Sequence, residues 1–94
     1  MKDEAAVPGL ARLLSGGDTE TRRAAVEALR NTNSPSAVTA LAKALEDTDS
    51  DVRYVAVIGL AEITGQNEWR PGPDEFAEDN ARYLRYWRDW ARRQ

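Results

Sequence analysis

Slid against itself by 31 positions, the sequence falls into register. Residues 6–36 and 37–67 agree at ten places: Ala6/Ala37, Val7/Val38, Leu10/Leu41, Ala11/Ala42, Leu14/Leu45, Asp18/Asp49, Arg22/Arg53, Ala25/Ala56, Val26/Val57 and Leu29/Leu60. A fixed period of this length marks a repeat architecture, in which each unit is one supersecondary element that buries its apolar face only against its neighbours. This period constrains the fold more than any single motif does.

Each unit contains two helical patterns. Val7, Leu10, Ala11 and Leu14 step by three, one and three, which is one face of a helix, and Val38, Leu41, Ala42 and Leu45 repeat the steps. Pro8 sits in a first turn, where its missing N–H is not needed. Gly16-Gly17 ends the first helix, and Glu46-Asp47-Thr48 occupies the same turn in the second unit. After each turn, Asp18-Thr19-Glu20 and Asp49-Ser50-Asp51 offer side-chain oxygens to the orphan N–H groups of a new helix. Ala25, Ala28 and Leu29, and then Val52, Val55, Ala56, Gly59 and Leu60, mark its apolar face. Asn31 to Pro35 and Thr64-Gly65 interrupt the chain, and strand-like alternation is nowhere present. The expectation is all-α.

The pairs Asp18/Arg22 and Asp49/Arg53 recur at the repeat period, which points to a structural ladder: the carboxylate caps its helix while the guanidinium bridges to it or to a neighbouring turn. The pattern A-V-x-x-L-x-x-x-L followed by D-x-(E/D)-(V/T)-R-x-x-(A/V)-V-x-x-L resembles the short HEAT-like repeats of the phycobilisome-lyase type over residues 6–67. The resemblance implies an α-α superhelix of antiparallel hairpins, in a family whose members mostly serve as protein-binding scaffolds. No part of the sequence matches a chromophore site, and the motif speaks to fold more than to function.

A third unit does not follow. Trp69-Arg70-Pro71-Gly72-Pro73 predicts an irregular loop, and residues 74–92 a long helix with Asp74, Glu75, Glu78 and Asp79 at its start and Arg85, Arg88 and Arg92 toward its end. Six of the seven aromatic residues lie between Trp69 and Trp90. They find an apolar counterpart in Val52 to Ile63, where only Arg53 and Glu62 are charged; a helix apolar nearly all round is covered nearly all round. The expected architecture is therefore a single unit over residues 1–94: repeats at 6–36 and 37–67, closed by an aromatic capping helix at about 74–92.

Catalysis has little to work with. The chain contains no cysteine and no histidine, which removes thiolate nucleophiles, the commonest general base and the commonest metal ligands. Asp47, Asp49 and Asp51 alternate as in a calcium loop but lack its glycine and distal glutamate. No catalytic residue, metal or cofactor is expected. The longest apolar run, Val55 to Ala61, falls well short of a membrane span.

The expected activity is binding of a protein partner. The surface of the second helices (Arg23, Glu27, Arg30, Tyr54, Ile58) and the edge near Trp90 are the candidate contacts. Arg82, Arg85, Arg88, Arg92 and Arg93 raise nucleic acid as an alternative, but a net charge of −3 and the interspersed Glu78 and Asp89 argue against it. Leu13 and Ala24 are expected on a bare N-terminal end, which invites either further repeats upstream or self-association.

Overall fold

Pro8 near the start of one helix and the aspartates before two others set the helix boundaries in a computed structural model, which describes residues 4–94. The helices are α1 (Val7–Gly16), α2 (Thr19–Thr32), α3 (Val38–Ala44), α4 (Ser50–Thr64), α5 (Pro73–Glu78) and α6 (Asn80–Arg92), with single 3-10 turns at Glu4–Ala6, Pro35–Ala37 and Asn67–Trp69. No strand occurs among the described residues. Asp18 opens α2 by accepting the Thr21 N–H at 2.8 Å, and Asp49 opens α4 by accepting that of Val52 at 3.0 Å. α2 ends on Asn33 and α4 on Gly65, both in the left-handed region.

The two hairpins, α1–α2 and α3–α4, stack mainly through their second helices: α2 and α4 pack closely, whereas α1 and α3 touch little. The close approach depends on Gly59. A Cβ there would lie 3.0 Å from Leu41 Cδ1 and 3.3 Å from Arg30 Cβ, so the missing side chain lets α4 sit directly against α2. Gly17 serves the hairpin turn in another way. Its backbone is extended, but a Cβ would meet Thr21 Cγ2 at 2.6 Å and the Leu13 carbonyl at 2.7 Å.

Val26, Leu29, Leu41, Leu45, Val52, Val57 and Leu60 are fully buried and form one continuous core with Trp87. As its composition implied, α4 is enclosed on most sides, with Val52 and every residue from Ala56 to Ala61 buried. Burying side chains of this size is worth roughly 1.5–3 kcal/mol each, which makes α4 the axis of the fold.

The predicted helix over 74–92 is two helices. Asp79 leaves helical geometry (φ −149°, ψ 64°), and its carboxylate accepts the Arg82 N–H at 3.3 Å. Asp79 acts as the cap of α6 and not as a first-turn acid of one longer helix; aspartate competes with the backbone for such local bonds. The break seats Phe76 beside Tyr54 (5.2 Å between ring centres) while α6 packs on α3 and α4. Trp87 is fully buried, and its Nε1–H donates to the Trp69 carbonyl at 3.2 Å. Trp69 stacks on Tyr86 at 4.0 Å, and the Tyr86 hydroxyl donates to Gln66 Oε1.

Candidate protein-binding surfaces

Of the two arginines that recur with the repeat, Arg22 reaches across it and Arg53 stays within its own hairpin turn. Arg22 does not bond Asp18. Its Nε donates to Asp47 at 2.9 Å in the next hairpin's turn, and a second nitrogen donates to the Gly17 carbonyl at 3.0 Å. Arg53 donates to the Asp47 carbonyl at 2.7 Å, also away from its own capping aspartate. The two capping aspartates thus differ in surroundings. The Asp18 carboxyl is lowered from its ordinary pKa mainly by the Thr21 N–H. Asp49 is lowered to about 2, chiefly because Arg23 donates to it.

The side chains expected on the second-helix surface divide into two groups. Arg23, Glu27 and Arg30 form one charged strip along α2. Arg23 holds Asp49 through two bonds of 3.0 and 2.8 Å and lies 3.5 Å from Asp51. Arg30 holds Glu62 through two bonds of 2.7 and 3.0 Å and also donates to Glu27 at 3.0 Å. Glu62 in turn accepts from Arg70 at 2.9 Å, and its carboxyl is lowered first of all by the Arg30 bond, against the opposing effect of burial.

Tyr54 and Ile58 do not belong to that strip. Ile58 is only 5% exposed, so it is core and is withdrawn from the set of contact residues. The Tyr54 hydroxyl donates to the Pro71 carbonyl at 3.2 Å, and its ring lies under Phe76. The physical reason is that Pro71, itself buried, and Phe76 cover Tyr54, the α4 position equivalent to Arg23 on α2, while Ile58, equivalent to Glu27, lies in the buried side of α4. Trp90 is half-buried on another element, edge-on to Trp87 at 5.5 Å.

The C-terminal arginines are mostly engaged. Arg82 stacks over Trp69 at 5.2 Å, Arg88 lies 2.6 Å from Glu46, Arg92 is 3.6 Å from Asp89, and Arg93 donates to the Asp89 carbonyl. The Arg88 contact is an ion pair pointed away from hydrogen-bond geometry. Among the described residues no group of three or more acidic side chains is placed to hold a metal ion, and no helix is long and apolar enough to cross a membrane.

A surface that the repeat pattern hid lies on the opposite side. Where α1 and α3 diverge, a groove of about 520 Å³ opens, floored by Val7, Ala11, Leu14, Ala40 and Ala44. Ser15, Thr39 and Lys43 stand on its rim, and the Arg22–Asp47 pair lies at one end. Val7, Leu14, Ala40 and Ala44 belong to the buried core as well, so a periodicity that marks a buried stripe gives no sign that their outer edges face a groove. The one available signal was size: alanine at 11, 40 and 44 leaves space between helices that leucine would fill.

No curated protein and no solved structure gives a significant match to the chain. A family model described as HEAT repeats matches residues 1–87, which includes both hairpins, α5 and most of α6. With nearly the whole chain matched and two stacked hairpins at the period of the sequence repeat, the chain belongs to the HEAT repeat family.

Proposed function

We propose that the chain is a non-enzymatic scaffold that binds a protein partner along the groove between α1 and α3. The observation that carries this reading is the groove's make-up: an apolar floor of small residues with a polar rim. Its volume lies in the range of specific binding clefts, and its length along two helices suits a helical or extended segment that lays apolar side chains on the alanines. HEAT repeats generally serve as helical scaffolds for protein interactions, in keeping with this use.

The strip of Arg23, Glu27 and Arg30 supplies a second, polar contact, with the Trp90 edge as a smaller third. Their charges are already satisfied within the chain, so they contribute to partner choice more than to affinity. A lyase-type assembly or chaperone role is a narrower form of the same reading and rests on the repeat pattern alone. The absence of histidine and cysteine supports a non-catalytic role, and the internal pairing of the C-terminal arginines favours protein over nucleic acid as the partner.

The test places a photo-crosslinking amino acid at Thr39, on the groove rim, or at Arg85, on the outer face of α6, in native lysate. Protein adducts from Thr39 that vanish on Ala40→Glu, in a variant whose circular dichroism is unchanged, support the reading. Equal adducts from both positions, or a salt-sensitive shift of labelled DNA or RNA in their place, refute it.

A further inference from the structure

The two arginines that recur with the repeat hold different partners, and the difference marks a site. Arg22 shows what a guanidinium does at this register when a carboxylate faces it. Its Nη1 donates to the Gly17 carbonyl of its own turn at 3.0 Å, while Nε and Nη2 grip the Asp47 carboxylate at 2.9 and 3.3 Å. Arg53, 31 positions on, repeats only the first half of this arrangement. Its Nη1 donates to the Asp47 carbonyl of its own turn at 2.7 Å, and its other nitrogens make no hydrogen bond or ion pair among the described residues. The acid that the period would set against Arg53 is Glu78, 31 positions after Asp47, but Glu78 ends α5 on the exposed surface. Arg53 instead lines a notch of about 390 Å³ between the α3–α4 turn and the first turns of α6.

A second guanidinium lines the same notch from α6. Arg88 Nε lies 2.6 Å from a Glu46 carboxylate oxygen without the alignment of a hydrogen bond, and it is buried with no other partner. Its charge is balanced, but its bonding is incomplete. The Glu46 side chain is 65% exposed and makes no hydrogen bond, so an incoming acceptor displaces it at little cost. Asp47 does not compete for Arg53, because its carboxylate is taken by Arg22 and by the Asp49 N–H at 2.9 Å. Asn80 adds an amide to the wall, and Leu45 and Leu84 give it an apolar part.

We propose that Arg53 and Arg88 bind a carboxylate group on a short apolar stem, seated in the notch between the α3–α4 turn and α6. Two parallel N–H bonds are the geometry in which a guanidinium holds a carboxylate best, and Arg22 displays it one repeat earlier. The acids at the border, Glu46 and Asp47, disfavour a doubly charged phosphate more than a single carboxylate. The stem packs on Leu45 and Leu84. Two sources offer this chemistry: a small free carboxylate, and a glutamate side chain of a partner protein. The α3–α4 turn separates the notch from the groove between α1 and α3, so the site stands whether or not a partner segment occupies that groove.

Titration of the full chain with sodium butyrate, followed on the arginine Nε–H signals in nitrogen–proton correlation spectra, tests the site. Saturable shifts at Arg53 and Arg88 are expected, with a dissociation constant on the order of 1 mM for so small a ligand. N-acetylglutamate N-methylamide is the second probe: binding tighter than butyrate assigns the site to an acidic side chain of a partner, and weaker binding to a free carboxylate. Arg53→Lys keeps the charge but loses the two-point fit, and is expected to weaken butyrate by about tenfold. Glu46→Gln removes the competing carboxylate and is expected to tighten it by about threefold. Glu46 is a surface residue, so that variant carries the test if Arg53→Lys does not fold. Arg85→Gln, at an exposed arginine without an ion pair, is expected to change neither value. The absence of a saturable shift at Arg53 overturns the proposal. So does inorganic phosphate binding at least as tightly as butyrate, or a loss on Arg85→Gln equal to that on Arg53→Lys, since overall charge then accounts for the effect.

Discussion

Arg30 and Glu62 join the two hairpins face to face, guanidinium to carboxylate, at 2.7 and 3.0 Å, and the same Arg30 side chain packs its Cβ over Gly59. The contact couples charge to helix packing: the glycine brings the α2 and α4 backbones close enough for a two-point pair that also recruits Glu27 and Arg70.

Glu62→Ala leaves two arginines without their shared carboxylate. Both sites are partly exposed, so the expected loss is about 1–2 kcal/mol. For a domain of this size that corresponds to a melting temperature lower by several degrees, roughly 4–8 °C per kcal/mol. A thermal scan measures it. Replacing both partners, Arg30→Met with Glu62→Leu, should cost less than Glu62→Ala alone, since only the more exposed Arg70 and Glu27 then lose a partner.

Acid weakens this fold through Asp49. Its native carboxyl titrates at about 2, below the ordinary value of 3.8, as Arg23 holds the charged form. The unfolded chain therefore takes up the proton first, and protonation favours unfolding. The stabilisation is whole above the unfolded-state value and is lost as pH falls from about 4 toward 2. Asp18 and Glu62, also lowered, act in the same direction. Urea melts across pH 2–7 should show a shallower acid decline for Asp49→Asn than for the native chain.

Gly17→Ala forces a methyl group against Thr21 and the Leu13 carbonyl and is expected to destabilise by about 1–3 kcal/mol. Gly16→Ala meets nothing within 4 Å and lies in the last turn of α1, so it should be neutral or stabilising by up to about 1 kcal/mol. Side-by-side denaturant midpoints check the pair; equal effects would mean that Gly17 is not crowded.

Trp87→Ala removes the largest fully buried side chain and strands the Trp69 carbonyl that it bonds. The expected cost of about 3–5 kcal/mol is comparable to the whole stability of a small domain. Loss of cooperative melting in near-ultraviolet dichroism would register it.

What could be read from the residues was whatever repeats or is local. The hairpins, the capping aspartates and the enclosed α4 follow from periodicity and helix-end chemistry. The features that escaped are non-local. Nothing near Tyr54 announces that Pro71 and Phe76, 17 and 22 positions on, will cover it, so a surface assigned by analogy with Arg23 proved to be occupied. The break at Asp79 escaped because an aspartate early in a helical pattern suits a first turn as well as a cap. Arg22 takes the second of the two bridges expected of it, to a neighbouring turn; that Asp47 would be the acceptor was not specified, since the second turn has a carboxylate where the first has Gly16. The groove between α1 and α3 depends on how far two helices diverge, which spacing does not encode.

The seat of α6 on α3 and α4 gives the molecule a direction. One terminus of the stack is plugged by tryptophan and tyrosine, while the other, among the described residues, is a rim carrying the half-exposed Leu13. Copies cannot join rim to plug in an endless row, so concentrating the protein should yield particles of bounded mass and not fibres, with light scattering that levels off.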